Sequence, residues 1–274
     1  MFSKIQILFI FLSFLFIGIQ SCQFQTKLIP VQNYTKNTRG DGQMLEHIHF
    51  IDSKKLPNGL VNYLFRGSTP VPNAIIFQQD ALDNGLRDSA LREGVGNLPE
   101  RYYLVDINLQ RLKENDHALD KRKTQIEFEF YRENPGLGKF VYWHTVGIDA
   151  VPSQQPDAFL HHLINHFREW DVDKLSERVP ALHHMLESAA ADLPLIIYLH
   201  CDCGCDRTAE VAGAYQMMYQ SMSWQQANQI AIDITPMSGI CCQNFYAFQW
   251  FCYYLNAEYG RKEECEVDFN CIPC

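Results

Sequence analysis

Beyond residue 21, the sequence lacks any apolar run long enough to cross a membrane. Before that point, Lys4 precedes an apolar stretch from Ile5 to Ile19, and small Ser21 follows it. A positive residue, a short apolar run and a small residue are the order of a secretory signal peptide. We therefore expect residues 1–21 to be a signal peptide, with no stable membrane insertion after its cleavage. A retained N-terminal anchor is the alternative.

The sequence also lacks an excess of positive charge, because 23 Lys and Arg stand against 32 Asp and Glu, for a formal net charge of −9. Nucleic acids and anionic membrane surfaces attract basic proteins. We therefore predict no nucleic-acid partner, and any phosphate must be attracted by a local arrangement. With 47% hydrophobic and 13% aromatic residues, the 274-residue chain can form one sizeable α/β domain with additions.

Cysteine is nearly absent from the first two thirds of the chain. Only Cys22 precedes the other nine cysteines, which lie at positions 201, 203, 205, 241, 242, 252, 265, 271 and 274. In a secreted protein such clustering predicts a disulfide framework, whose connectivity the spacing does not determine. If cleavage removes Cys22, an odd number remains, and Cys201 is the candidate for the free thiol. Cleavage just before Cys22 would instead leave an even number.

The most informative segment is a predicted buried strand at 193–199 that runs directly into His-Cys-Asp-Cys-Gly-Cys-Asp-Arg-Thr at 200–208 and then into a predicted helix. Five residues separate Cys201 from Arg207, so the turn can aim successive N–H groups at one point. An anion there would lie at the positive end of the helix, and Arg207 could bind it through two hydrogen bonds. The same field lowers the pKa of a thiol. The segment therefore predicts a phosphate-binding loop with Cys201 as its nucleophile.

This segment resembles the signature loop of the cysteine-dependent protein tyrosine and dual-specificity phosphatases, His-Cys-x5-Arg-(Ser/Thr). The fixed positions of that motif are matched by His200, Cys201, Gly204, Arg207 and Thr208. The Asp-Arg-Thr ending is most similar to the loops of myotubularins and related lipid phosphatases. The resemblance implies a phosphatase-like α/β fold, with a central, mostly parallel sheet flanked by helices, followed here by a Cys-rich C-terminal tail. It also implies hydrolysis of phosphomonoesters without a metal or another cofactor.

The resemblance further implies a role for each residue of the loop. Cys201 would attack phosphorus and form a cysteinyl-phosphate, and Thr208 would hydrogen-bond the sulfur and help it leave. His200 would brace the loop. The phosphate itself would be bound by the loop from its second residue to its arginine, namely Asp202, Cys203, Gly204, Cys205, Asp206 and Arg207.

The departing group needs a proton, which this superfamily supplies from an Asp on an earlier, mobile loop. Residues 147–152 resemble that acid loop, Trp-Pro-Asp-x-Gly-(Val/Ala)-Pro, and place Asp149 at the acid position. The match is incomplete, because Trp143 is displaced and Ile148 stands where proline would be. Asp206, inside the signature loop, is the alternative acid. Gln243 lies where some members carry a water-orienting Gln, although an ordinary surface amide is the preferred interpretation.

The remaining pattern predicts strands alternating with helices, which is typical of a sheet covered by helices on both faces. Besides the strand at 193–199, we expect strands at 61–70, 102–109, 125–132 (from strict alternation) and 140–144, with a charged connection at 115–123. We expect helices at 158–170 (capped by Asp157), within 171–192, at 208–222, at 224–232 (opened by a capping box at Ser223) and at 245–254. The domain organisation follows as an extended arm at 22–59, a catalytic domain at 60–257 and the tail at 258–274.

The function predicted from these features is a secreted or secretory-pathway phosphatase that acts on a phosphorylated protein or a small phosphomonoester. Two alternatives keep the fold: a phosphoinositide or inositol phosphate phosphatase, and a catalytically inactive binding module. The loop carries Asp202 and Asp206 but no Lys, which favours simple phosphomonoesters over multiply phosphorylated head groups. A third alternative is a metal-binding protein that would use cysteines and histidines as ligands, at positions Cys201, Cys203, Cys205, His161, His162, His166, His183 and His184.

Overall fold

The computed structural model describes residues 45–112, 118–189, 192–235, 240–266 and 271. The predicted signal peptide, Cys22, most of the predicted arm and Cys274 lie outside the described residues. The described strands are β1 (His49–Lys55), β2 (Val61–Gly67), β3 (Tyr103–Asn108), β4 (Gly138–Tyr142) and β5 (Leu195–His200). The described helices are α1 (Gln79–Arg92), α2 (Ala118–Glu133), α3 (Asp157–Asn165), α4 (Phe167–Trp170), α5 (Leu175–Glu187), α6 (Asp206–Tyr219), α7 (Trp224–Ile234) and α8 (Cys242–Tyr259), with a 3₁₀ turn at Pro152–Gln154.

The described strands form a single sheet in the order β1-β2-β5-β3-β4. Strands β2, β5, β3 and β4 are parallel, and β1 pairs antiparallel with β2 at one edge. This arrangement confirms the predicted central, mostly parallel sheet. His200 at the end of β5 pairs with Gly67 on one side and Asn108 on the other. Three carboxyl strand ends therefore meet beside Cys201, at the edge where parallel sheets bind ligands.

Helices cover both faces of the sheet, because successive strand residues point to opposite sides. Leu64 and Ile197 belong to the core formed with α5, α6, α7 and α8. Their neighbours Phe65 and Ile196 belong to a second core formed with α1 and α2. Each Å² of apolar surface removed from water contributes about 25 cal/mol of stability. Because β5 buries apolar side chains on both faces, it is held firmly at the centre of the sheet. The loop that follows β5 is thereby held on a rigid element.

The prediction of a strand at 125–132 is wrong, because these residues lie in α2, and the predicted connection at 115–123 overlaps the start of that helix. Alternation of polar and apolar residues suggested a strand. The buried residues are instead Thr124, Glu127 and Tyr131, whose spacing of three and four is that of a helix face. Phe128, expected to face inward, is 46% exposed. The prediction assumed that Glu127 is exposed and Phe128 is buried, and the helix reverses both.

Two further predictions need correction in detail. The helix expected at 158–170 is broken at His166 into α3 and α4. Phe159 is 49% exposed whereas Phe167 is 1% exposed, so the break turns Phe167 into the core. Asp157 is the first residue of α3 rather than its cap, and the capping position belongs to Pro156.

The capping box at Ser223 is confirmed, since the Gln226 N–H donates to the Ser223 hydroxyl at 3.2 Å and the Ser223 N–H donates to Gln226 Oε1 at 2.8 Å.

Two elements extend beyond what the sequence predicted. Strand β1 lies within the segment assigned to the extended arm, and it lengthens the sheet by one strand. Helix α8 begins and ends outside the predicted 245–254. The disulfides Cys242–Cys271 and Cys252–Cys265 attach the Cys-rich tail to this helix. None of the helices in the described part of the chain is long and apolar enough to span a membrane.

Candidate active site

The predicted signature loop connects β5 to α6 and is fastened to the two strands that flank β5. Leu109 N–H, just after β3, donates to the His200 carbonyl at 2.8 Å. Thr69 N–H, just after β2, donates to the Asp202 carbonyl at 3.0 Å. The Asp202 carboxylate also forms a salt bridge with Lys123 of α2. Both the backbone and an exposed acidic side chain of the loop are therefore held by neighbouring elements.

Gly204 allows the loop to pack directly on the end of β2. Its φ is +79°, and a Cβ there would lie 2.5 Å from the carbonyl carbon of Gly67. The Gly204 carbonyl accepts a 2.7 Å hydrogen bond from Arg66 Nη2. Arg66 is 1% exposed, and burial lowers its pKa to about 10 although the negative charge of Cys201 acts in the opposite direction. Arg66 was not among the predicted site residues, and it holds the loop from the β2 side.

Cys201 is fully buried, and it is the free cysteine among those the structure describes. Burial alone would raise the pKa of its thiol, but the positive charge of Arg207 and hydrogen bonds from Thr208 outweigh that effect. The net result is a pKa below the ordinary value for cysteine. Charge and hydrogen bonding at the start of α6 therefore favour the thiolate, which is the nucleophilic form.

The other described cysteines are all in disulfides. Within the loop, Cys203 is bonded to Cys205, and the Cys205 N–H lies 3.1 Å from the Cys203 sulfur. The loop bridge therefore does not consume Cys201. While bridged, Cys203 and Cys205 have no thiolate to offer, which removes two of the ligands that the metal-binding alternative required.

His200 lies in a fully buried ionic network. Its Nε2 is 2.9 Å from Asp106 Oδ1 and 3.5 Å from Glu127 Oε2, and all three side chains are 0% exposed. Its Nδ1 is 3.2 Å from the Cys201 carbonyl oxygen. Burial opposes the charge on His200, but the carboxylates of Glu127 and Asp106 prevail and raise its pKa to about 9. The raised pKa favours the imidazolium form of His200, and its contacts with Asp106, Glu127 and the Cys201 carbonyl join the end of β5 to β3 and α2.

Glu127 and Asp106 were missed by the sequence analysis. Burial raises the pKa of Glu127 to about 7 even though His200 acts to lower it. Its two oxygens accept hydrogen bonds from Thr69 at 2.9 Å and from Asn108 at 2.5 Å. The predicted strand at 125–132 placed Glu127 on the solvent-exposed side, so the sequence pattern did not indicate a buried carboxylate there. Recognising 118–133 as a helix would have placed it on the buried face.

Asp206 is the first residue of α6, and its carboxylate bonds the segment that precedes α8. Oδ1 accepts the Cys241 N–H at 2.7 Å. This contact ties the signature loop to the segment that opens α8. A carboxylate at the first position of a helix also stabilises that helix through its dipole.

Asp149 lies on a loop that packs against the same segment. Gln243 Nε2 donates to Asp149 Oδ1, and Ile148 N–H donates to the Gln243 carbonyl at 2.9 Å. Gly147, with φ of +81°, approaches so closely that a Cβ would lie 2.5 Å from the Gln243 carbonyl carbon. Residues 241–243 therefore contact Asp206 at one end and Asp149 at the other, and they link the candidate acid to the signature loop.

No protein-family model matches the chain, and no curated protein sequence matches it. Among solved structures, the chain is similar to human DUSP28, with 17% identity, coverage of 74% of this chain and 94% of that one, and a TM-score of 0.35. It is also similar to PTPMT1 in complex with PI(5)P, with 15% identity, coverage of 78% of this chain and 99% of that one, and a TM-score of 0.35. A third similar structure is the core catalytic domain of the PP-IP phosphatase SIW14 from S. cerevisiae, with 13% identity, coverage of 80% of this chain and 95% of that one, and a TM-score of 0.38.

Proposed function

We propose that the chain is a cysteine-dependent phosphatase that hydrolyses phosphomonoesters through a cysteinyl-phosphate. One observation supports this above all: Cys201 is a free, buried thiol with a lowered pKa between the end of β5 and the start of α6. A cysteine that served only packing would have its pKa raised by burial. The lowered pKa requires nearby positive charge, and the Arg207 guanidinium provides it.

The proposed reaction has two steps. The loop N–H groups and Arg207 bind the phosphate, and the Cys201 thiolate attacks phosphorus while the ester oxygen departs. Asp149 donates a proton to that oxygen, so the leaving group departs as a neutral alcohol or phenol. Water then attacks the cysteinyl-phosphate, Asp149 accepts its proton, and Thr208 stabilises the returning thiolate. The products are inorganic phosphate and the regenerated enzyme.

Asp149 is preferred over Asp206 as the general acid. Asp206 already accepts a backbone N–H from Cys241 at 2.7 Å, so its carboxylate is held against the segment that opens α8. Asp149 contacts the side chain of Gln243 instead. Gln243, also within 3.4 Å of Arg111, is therefore proposed as a positioning partner of Asp149, in place of the surface amide preferred from the sequence.

The proposed substrate is a phosphorylated protein or a small phosphomonoester. The loop itself has no Lys, and Lys123 from α2 is engaged with Asp202, so the loop offers one main cation, Arg207, to a phosphate. The expected signal peptide and the disulfides are the basis for proposing a secreted or secretory-pathway protein. No metal is required by the proposed chemistry.

The test is hydrolysis of 4-nitrophenyl phosphate by oxidised protein in the presence of a chelator, with Cys201→Ser and Asp149→Asn beside the wild type. We expect Cys201→Ser to abolish turnover, because serine is not ionised at neutral pH. Asp149→Asn should lower kcat by about 10²-fold or more, the usual contribution of a general acid. Asp206→Asn is the matched control and should be affected less. Turnover that survives in Cys201→Ser, or a well-folded wild type without turnover, would contradict the proposal.

A further inference from the structure

The loop that carries Asp149 is fixed by one fully buried carboxylate. Asp173, between α4 and α5, accepts the Val146 N–H at 2.8 Å through Oδ1 and the Gly147 N–H at 2.6 Å through Oδ2. Its side chain is 0% exposed. Hydrogen bonds from N–H groups to an ionised carboxylate are roughly twice as strong as those between neutral groups. Both oxygens of Asp173 thus fix the backbone just before Asp149.

A second carboxyl group is buried against the first. Glu210 of α6 is 1% exposed, and its Oε2 accepts a 2.7 Å hydrogen bond from Asn244. Burial raises the pKa of Glu210 well above its ordinary value, and the negative charge of Asp173 raises it further. The other carboxyl oxygen of Glu210, Oε1, is buried and receives no hydrogen bond from a donor among the described residues, and the Asp173 carboxylate is the group close enough to share a proton with Glu210. Since Asp173 already accepts two N–H groups, Glu210 is the partner that carries and donates the proton.

The other charged groups around this pair leave Asp173 as the acceptor for the loop. Arg178 of α5 donates to the His144 carbonyl at 3.0 Å and to the Thr145 hydroxyl at 3.3 Å, so it holds the preceding residues of the same loop. Asp171 accepts the Ser176 N–H at 3.1 Å, at the start of α5. Burial raises the pKa of Asp173, whereas the Val146 and Gly147 N–H groups and the positive charge of Arg178 act against that rise and favour the ionised carboxylate.

The position of Glu210 connects this arrangement to the nucleophile. Helix α6 begins at Asp206, at the end of the signature loop, and Glu210 lies one turn later on the same helix. The rigid helix that receives the phosphate at its first turn therefore contacts, at its second turn, the carboxylate that fixes the acid loop. Asn244, which bonds Glu210, follows directly after Gln243, the partner of Asp149.

We propose that Asp173 and Glu210 form a proton-sharing carboxyl pair that positions the general acid Asp149 by clamping the backbone of Val146 and Gly147. This inference rests on the proposed phosphatase function. Neither residue touches the substrate, so both are positioning residues. The clamp makes the placement of the acid depend on the helix that also carries Arg207, so that the two halves of the site are fixed relative to each other.

The test compares Asp173→Asn with its matched control Asp171→Asn, a nearby buried carboxylate whose hydrogen bonds come from Ser176 of α5. Two esters are used: 4-nitrophenyl phosphate, whose leaving group departs readily as an anion, and phenyl phosphate, whose leaving group needs a proton. Asn keeps one acceptor oxygen but turns an NH₂ donor toward the second N–H. We expect Asp173→Asn to lower kcat for phenyl phosphate about tenfold more than for 4-nitrophenyl phosphate. Asp171→Asn should keep the wild-type ratio.

Amide hydrogen exchange at Val146 and Gly147 provides the readout that does not depend on activity. Protection should fall in Asp173→Asn and persist in Asp171→Asn. Should Asp173→Asn fail to fold, the comparison of Glu210→Gln with Glu210→Ala takes its place. The glutamine amide can still donate a hydrogen bond to Asp173, so Glu210→Gln should preserve both the amide protection and the ester ratio better than Glu210→Ala.

The possible outcomes separate the two claims. Unchanged protection in Asp173→Asn and in Glu210→Ala overturns the clamp. Lost protection with an unchanged ester ratio, in an active wild type, overturns its role in positioning the acid. A wild type that hydrolyses neither ester contradicts the proposed function itself, and with it the inference that Asp173 serves an acid.

Discussion

At the scale of single residues, the chemistry depends on how buried charges are balanced. Cys201 is buried, yet Arg207 and Thr208 hold the pKa of its thiol below the ordinary value. Directly beside it, two buried carboxylates hold the pKa of His200 at about 9. The sequence identified Cys201, His200, Arg207 and Thr208 because one motif contains them all. It could not identify Asp106 or Glu127, since their roles arise only when β3, α2 and β5 come together.

The His200 network predicts a pH dependence of stability. The pKa of His200 is about 9 in the folded protein against 6.5 ordinarily. Because the folded-state pKa is raised, the stabilisation is fully present below pH 6.5 and is lost as the pH rises toward 9. The effect is at most about 3.5 kcal/mol, at roughly 1.4 kcal/mol per pKa unit. Burial also raises the pKa of Glu127, which acts in the same direction at lower pH.

Denaturant unfolding from about pH 6 to about pH 9, which spans the interval between the ordinary and the folded-state pKa of His200, measures this effect. We expect the free energy of unfolding to fall with rising pH in the wild type, and less steeply in His200→Asn, which should also be less stable throughout. His162→Asn, at an exposed histidine of α3, is the control and should keep the wild-type slope. An equal slope in His200→Asn would show that the imidazolium is not formed.

At the scale of elements, the signature loop is built by contacts between strand ends. Gly204 adopts a positive φ and lies against Gly67, while Arg66 of β2 holds its carbonyl. The motif predicted the loop and both flanking elements correctly, because a buried apolar run followed by glycine and a helix is a strong local pattern. The alternating pattern at 125–132 misled the prediction, because α2 buries Glu127 and exposes Phe128, the reverse of what a half-buried strand would do.

Gly204→Ala tests how tightly the loop is packed. Gly94 has a similar φ of +77°, but a Cβ there would have nothing within 4 Å. Gly94→Ala should therefore show only the backbone cost of about 1–2 kcal/mol. Gly204→Ala should be more destabilising and should lower the proposed phosphatase activity, because the Cβ would displace the loop from Gly67. Thermal unfolding and kcat measure both effects, and equal behaviour of the two variants would contradict this packing.

At the scale of the whole molecule, the fold brings separate parts of the chain to one edge of the sheet. The sequence predicted the α/β architecture, because the alternation of strands and helices is local. The links between the signature loop and the Asp149 loop, made by Cys241 and Gln243 before and within α8, were not predictable. They join residues 35 and 94 positions apart, and contacts of that range leave no local pattern. Disulfide pairing was undetermined for the same reason.

The central claim is that Cys201 becomes covalently phosphorylated, and rapid acid quench during turnover of 4-nitrophenyl phosphate tests it most directly. We predict phosphate on the peptide that contains Cys201, detected by mass spectrometry in the wild type, and none in Cys201→Ser. Asp149→Asn should accumulate a larger fraction of this intermediate if hydrolysis slows more than its formation. Turnover by the wild type without any phosphate on Cys201 would contradict the account.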